Sequence, residues 1–234
     1  TDDLAPLRGE FHKEVTSSDI EDTALILALR ESAGLILDAF QELRSSVNRL
    51  SCLSKDMIMI ARTHGKYAVP DTFGRLLRVF TMQVDRAIQR IRHSVRMDLS
   101  ETKISGAVGN YAGLDWRIEK LVCAELDLRP AACETQILQR DRHASFMASL
   151  AGAACSIEQM CRTLWEMMRS DAGELDAPRL LKQRGSSAMP HKKNPNVTER
   201  LEGLARRLRG MLVEAFENVA TPECRDISQS SVER

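Results

Sequence analysis

Aromatic side chains are scarce in this chain: six Phe, two Trp and two Tyr make up 4% of 234 residues, while hydrophobic residues as a whole reach 43%. Leu, Ala, Met, Ile and Val must therefore build most of the core. That balance suits packed helices better than a β-sandwich, whose faces draw on aromatic and β-branched residues. Long uncharged runs are also missing. No stretch approaches the roughly 18 apolar residues of a membrane-spanning helix, and no signal-peptide pattern is visible. Neither sign of charge dominates, with 33 basic and 33 acidic residues interleaved along the chain. A nucleic-acid or membrane-surface partner would call for a basic block, and there is none. The six cysteines (Cys52, Cys123, Cys133, Cys155, Cys161 and Cys224) form no CxxC pair and no metal-ligand rhythm. Cys155 and Cys161 fall in an apolar helical stretch, where free thiols behave as small hydrophobes. The expectation is a soluble protein of a reduced, cytoplasmic compartment, without a metal site.

What the chain does have is helical periodicity. The spacing predicts a helix from about Asp19 to Leu50, carried by Leu29, Ala33, Ile36, Phe40, Leu43, Val47 and Leu50. A second runs from about Thr72 to Met97 on Leu77, Phe80, Val84, Ala87 and Ile91. A third, Asp141 to Ser170, steps 4-3-4-3-4-3 through Phe146, Leu150, Ala153, Ile157, Met160, Leu164 and Met167; at full length it would measure about 45 Å. A fourth follows Pro195 on Leu201, Leu204, Leu208, Met211, Ala215 and Val219. The fold class is all-α, a bundle of long helices of the kind shared between subunits. Glycine and proline interruptions at 65–70, 106–113 and 185–195 exclude one uninterrupted coiled-coil rod. The segment Lys103 to Ala112 (KISGAVGNYA) reads as a turn or short hairpin.

Three islands break the helical pattern. The first, Glu14 to Asp19 (EVTSSD), reads foremost as a helix start with Ser18 or Asp19 as the cap, and secondly as a cradle of hydroxyls and N–H groups for a carboxylate or phosphate. In the second, Ala61 to Pro70 (ARTHGKYAVP), His64 stands at the end of a helical stretch before a Gly C-cap signal. There it either complements the helix dipole or serves as an imidazole able to move a proton at neutral pH. The third, Gly185 to Pro195 (GSSAMPHKKNP), ends in Asn194 as N-cap and Pro195 at the first helical position, with Glu199 in the first turns. Ahead of that start, Ser186 and Ser187 lie on a Gly-Ser-Ser loop, with Lys192 six residues beyond Ser186. An ammonium and a helix N-terminus would stabilise an alkoxide, and the same lysine could stabilise a carbanion conjugated to a carboxylate. A serine nucleophile is the other reading, but no G-x-S-x-G elbow surrounds it.

GSSAMPHKKNP resembles the signature loop of the fumarase/aspartase superfamily, whose members cleave C–N or C–O bonds and release fumarate. Within it the chain is similar to the bacterial-type adenylosuccinate lyases through TSSDIEDTAL (16–25), ARTHG with a following Pro-x-Thr-Phe-Gly (61–74), KISGAVGNYA (103–112), TQILQRDRH (135–143) and RDISQSSVER (225–234). The resemblance implies elimination of fumarate from a succinyl group on a purine or imidazole nitrogen. Ser186 would be the general base at Cβ and His64 the general acid at the departing nitrogen. Lys192 and Asn194 would hold and polarise carboxylates, with Glu199 orienting Lys192. Thr16, Ser17, Thr63 and Gln136 would position the succinyl arm, and His12 matches a histidine near the site. Arg225, Ser230 and Arg234 would contact the nucleotide phosphate. It further implies no metal or organic cofactor, a small-molecule substrate, and a homotetramer whose active sites are shared between subunits.

The pattern is departed from at Glu14, where the family usually has Gly, at Lys66, Val69 and Asp71 around His64, at Thr221-Pro222-Glu223-Cys224, and at Gln229, which replaces a common His. Neither end reads as a domain boundary. Residues 1–234 are expected to be the central helical domain, without the small N-terminal and the C-terminal helical domains of the family, and little active alone. Another fumarate-releasing lyase of the argininosuccinate lyase or carboxymuconate cycloisomerase type is the next reading. The RDISQSSVER segment speaks against it by supplying a phosphate site those substrates do not need. A non-catalytic helical assembly module comes third.

Overall fold

A computed structural model gives the architecture, describing residues 7, 9–177, 188–189 and 191–232. Its long helices are α1 (Ser17–Leu53), α2 (Phe73–Asp98), α4 (Asp141–Met168) and α5 (Asn196–Val219). Each coincides within a few residues with an expected one. Shorter elements are strands β1 (Ile58–Thr63) and β2 (Lys66–Thr72), the two-residue strands β3 (Glu101–Thr102) and β4 (Arg129–Pro130), and helices α3 (Trp116–Glu125) and α6 (Ile227–Val232). The chain forms two compact units, and each long helix contributes residues to both.

The first unit comprises residues up to Leu37, 91–148 and from Leu212 onward. Its buried apolar residues include Ile26, Ile91, Leu99, Ile137, Leu138 and Phe146. Charged residues are buried among them: Asp19, Asp22, Lys103, Glu119 and Arg140. β3 and β4 pair in parallel, and α3 starts at Asp115, whose side chain accepts the Arg117 N–H. The segment KISGAVGNYA begins just after β3 and is a glycine-rich turn rather than a hairpin. Gly109 is fixed there by contact: at φ +76°, a Cβ would stand 2.1 Å from the Glu134 carbonyl oxygen.

The second unit comprises Asp38–Arg90 and Ser149–Met211. It has an apolar core of Val47, Phe73, Leu77, Phe80, Met160 and Met167, flanked by Leu43, Met59, Leu76, Leu164 and Leu175. Phe80, Met160 and Met167 all come from the periodic positions that predicted the helices, as ridge-to-groove packing of amphipathic helices requires. Cys161 is buried there as expected, and burial lifts its thiol to about 11. Cys155, by contrast, is exposed, and the Arg209 guanidinium donates to its sulfur at 3.6 Å.

One expectation is overturned in the second unit. Residues 58–72 do not continue a helix into a Gly cap; β1 and β2 form an antiparallel hairpin with Thr63 paired to Lys66. His64 and Gly65 are its two-residue turn, at φ +53° and +72°. A type I′ turn needs positive φ at both central residues because only that twist matches the flanking strands. Glycine meets the demand freely, and histidine is among the residues that tolerate it. The apolar run Ile58-Met59-Ile60 suits a half-covered strand as well as a helix, which is why its length and sequence alone misplace it.

Candidate active site

The start of α1 carries the first group of candidate residues. Thr16 is the cap, and the Asp19 carboxylate reaches back to accept the Thr16 N–H at 2.8 Å, half of a capping box. The cap expected at Ser18 or Asp19 therefore lies at Thr16, with Asp19 as its partner. The Thr16 hydroxyl accepts from the Gln136 side-chain amide at 3.0 Å, across 120 positions of sequence. Two residues assigned to the same succinyl arm thus meet. Ser17 adjoins them as the first residue of α1. His12 and Glu14 precede it at φ +64° and +63°. The left-handed backbone at Glu14 accounts for the glycine usual at this place.

Behind Thr16 and Gln136 lies a polar network. Lys103 Nζ sits 2.8 Å from Asp19 Oδ1, with the two side chains 1% and 0% exposed. Asp19 also accepts the N–H groups of Ser105 and Gly106 at 3.1 and 3.2 Å. Lys103 donates to the carbonyls of Gln136 and Gly106. Glu119 accepts the Ile104 N–H at 2.8 Å and the Tyr111 hydroxyl at 2.6 Å. Burial, reinforced by Glu119, pushes that phenol up to about 12.

Next to this network, Asp22 pairs with Arg140 at 2.9 Å and accepts the Leu138 N–H at 2.8 Å. Both line a cavity of about 320 Å³ together with Ser18, Arg225, Asp226 and Gln229. Arg225 and Arg140 thus line one cavity, together with the carboxylates of Glu21, Asp22 and Asp226. Gln229 is buried and donates to the Asn218 carbonyl and the Thr221 hydroxyl, which ties α6 to the end of α5.

The remaining candidates belong to the second unit. His64 and Thr63 are exposed at the hairpin tip. Arg62, two residues from His64, pairs with Glu174 at 2.7 Å and lies 5.1 Å from the Tyr67 ring centre, so the hairpin is tied down beside its turn. Lys192, Asn194 and Glu199 line one cleft of about 1040 Å³ with Trp165, Lys193 and Asp176. Helix α5 starts one residue later than expected. The Pro195 carbonyl accepts the Glu199 N–H at 3.3 Å, so Pro195 takes the cap position given to Asn194. The Glu199 carboxylate accepts from Trp165 Nε1 at 3.4 Å, and among the described residues no ion pair joins it to Lys192. Ser186 and Arg234, and the side chain of Ser230, lie outside the described residues.

Sequence reasoning passed over Lys103, Asp22 and Arg140, and took Asp19 only as a cap. A lysine opening the otherwise uncharged stretch KISGAVGNYA was the available signal.

Known proteins similar to this chain come from one group of enzymes. The chain is 42% identical over 224 residues to an adenylosuccinate lyase of Synechocystis sp., covering 96% of this chain and 52% of that protein. It is 38% identical over 234 residues to the adenylosuccinate lyase of Bacillus subtilis, covering all of this chain and 54% of that protein. The chain thus spans about half the length of the curated relatives it matches. Among solved structures, a 3-carboxy-cis,cis-muconate lactonizing enzyme from Pseudomonas putida superposes with TM-score 0.84 at 30% identity, over 95% of this chain and 50% of that one. A fumarate lyase from Mesorhizobium sp. BNC1 gives 0.84 at 25% identity, over 95% and 49%. Residues 4–210 match the family model described as Lyase, and the chain belongs to that lyase family.

Proposed function

We propose that the whole protein is an adenylosuccinate lyase, eliminating fumarate from adenylosuccinate and from the related succinylaminoimidazole carboxamide ribotide, in the cytoplasm and as a homotetramer. The observation that carries this reading is the hydrogen bond between Thr16 and Gln136. These are two residues remote in sequence, each expected to hold one succinyl group. Gln136 donates to the Thr16 oxygen, so the Thr16 hydroxyl proton is free to point at a carboxylate. Arg225, which lines the cavity beside α1 and α6, supports a phosphate-bearing substrate.

In this reading Ser186 removes the Cβ proton and Lys192 and Asn194 stabilise the resulting aci-carboxylate. His64 then delivers a proton as the C–N bond breaks. The hairpin supports the role of His64, because a two-residue turn presents the imidazole to solvent on a short, tied-down scaffold. Subunit sharing is supported by exposed apolar side chains on the protomer, including Leu35, Leu53, Ile58, Val69 and Phe216.

The test is turnover by the protein in its natural full length, offered adenylosuccinate, argininosuccinate and carboxymuconate in parallel and followed by ultraviolet absorbance. Adenylosuccinate should be the substrate, and His64→Ala and Ser186→Ala should each lower turnover at least about a hundredfold. Unchanged turnover in both variants would sink the catalytic assignment. The 234-residue chain alone should show little or no activity, and ready fumarate release by it would refute that expectation.

A further inference from the structure

Burying a lysine and an aspartate side by side costs several kcal/mol in lost hydration, and apolar side chains of similar volume often stabilise a fold as well or better. The pair Asp19–Lys103, at 0% and 1% exposure, is therefore poorly explained by stability alone. It does something apolar groups cannot, because it holds backbone polar groups by direction. The carboxylate accepts the N–H groups of Thr16, Ser105 and Gly106, and the ammonium donates to the carbonyls of Gln136 and Gly106. Thr16 and Gln136 are thus each gripped at the backbone by one member of the same ion pair, and their side chains meet in front of it at 3.0 Å.

We propose that Asp19 and Lys103 are positioning residues that set the Thr16 hydroxyl and the Gln136 amide in register for one carboxylate of the substrate. The inference rests on the reading of Thr16 and Gln136 as carboxylate contacts. Its mechanism is mechanical. The two contacts come from segments 120 positions apart, and Asp19–Lys103 converts their separation from an adjustable distance into a fixed one. A misplacement of about 1 Å at such a site costs roughly a hundredfold in rate.

The experiment is a mutant cycle in the natural full-length protein, combining the near-isosteric double change Asp19→Asn/Lys103→Met with Thr16→Ala. Fumarate affinity is read by calorimetry, kcat and KM with adenylosuccinate by absorbance, and folding by circular dichroism. The folded double change should weaken fumarate about tenfold, the loss of one good charge-assisted hydrogen bond. It should lower kcat/KM about a hundredfold. In the Thr16→Ala background the same change should cost less than about threefold, because one of the two side-chain contacts whose register the pair sets is then gone. Equal factors in both backgrounds, or a folded double change with unaltered fumarate affinity, would overturn the proposal. If Thr16→Ala itself leaves fumarate affinity and turnover intact, the reading beneath the proposal fails, and that result is distinct. Asp19→Asn alone stands in under the same criteria should the double change not fold.

Discussion

In the second unit, Phe73, Leu77, Phe80, Met160 and Met167 from α2 and α4 close on one another with Val47 of α1. In the first unit the corresponding depth holds Asp19 against Lys103 and Asp22 against Arg140, with Glu119 between a backbone amide and a phenol. Hydrophobic burial has no preferred direction, whereas hydrogen bonds between buried charges do. The second unit is built to be packed, and the first to hold irregular backbone in place. The contrast follows the backbone each must support: helices and one hairpin in the former, turns at 103–115 and 131–140 in the latter.

The sharpest way to break this comparison is to remove one charge. Lys103→Met should cost about 3–5 kcal/mol in urea denaturation, because Asp19 is left buried without its counter-ion. Phe80→Ala in the other unit should cost a similar 3–5 kcal/mol. The two differ in repair: adding Asp19→Asn should return much of the loss in Lys103→Met, while no charge change should rescue Phe80→Ala. A failure of that rescue would mean that the ion pair is filling space as the phenylalanine does.

Acid should separate the units next. His143 has both ring nitrogens buried without a hydrogen-bond partner among the described residues. Burial holds its imidazole down at about 4, with Arg140 and Arg142 pushing the same way against Asp22 and Asp141. An unfolded histidine takes up its proton near pH 6.5, so between about 6.5 and 4 the unfolded chain binds the extra proton and stability falls as the pH drops. The loss at pH 4 should approach 3 kcal/mol, and His143→Phe should flatten it. An unchanged slope in that variant would place the acid sensitivity elsewhere.

Backbone effects are smaller. Gly65→Ala at φ +72° should cost about 1–2 kcal/mol, although open space surrounds the site, since the strain is conformational. Glu14→Gly should gain about 1 kcal/mol or less by the same argument run in reverse. Melting temperatures would check both, and equal signs for the two changes would refute the conformational account.

How legible this was from sequence divides along the same line. The four long helices could be read because apolar residues repeat at three- and four-residue steps, and packing preserves that local signal. Asn194, Pro195 and Glu199 likewise marked the start of α5 to within one residue. The hairpin at His64 was hidden because its strand is a short apolar run and its turn uses histidine where asparagine is the usual sign. The charged network was hidden for a different reason: 86 positions separate Asp19 from Ser105, and nothing local announces a partner at that range. Thr16 and Gln136 were assigned through resemblance, while Asp19 and Lys103 stood in two of the same quoted segments with nothing in either to show that they meet.

The enclosed pair Asp19–Lys103 also bears on heat. The hydration that charged groups forfeit on burial becomes less favourable as temperature rises, so the penalty for enclosing them shrinks, while apolar stabilisation per unit area levels off. On warming, the turns gripped by Asp19 and Lys103 should therefore hold their geometry comparatively well beside the leucine- and methionine-lined core.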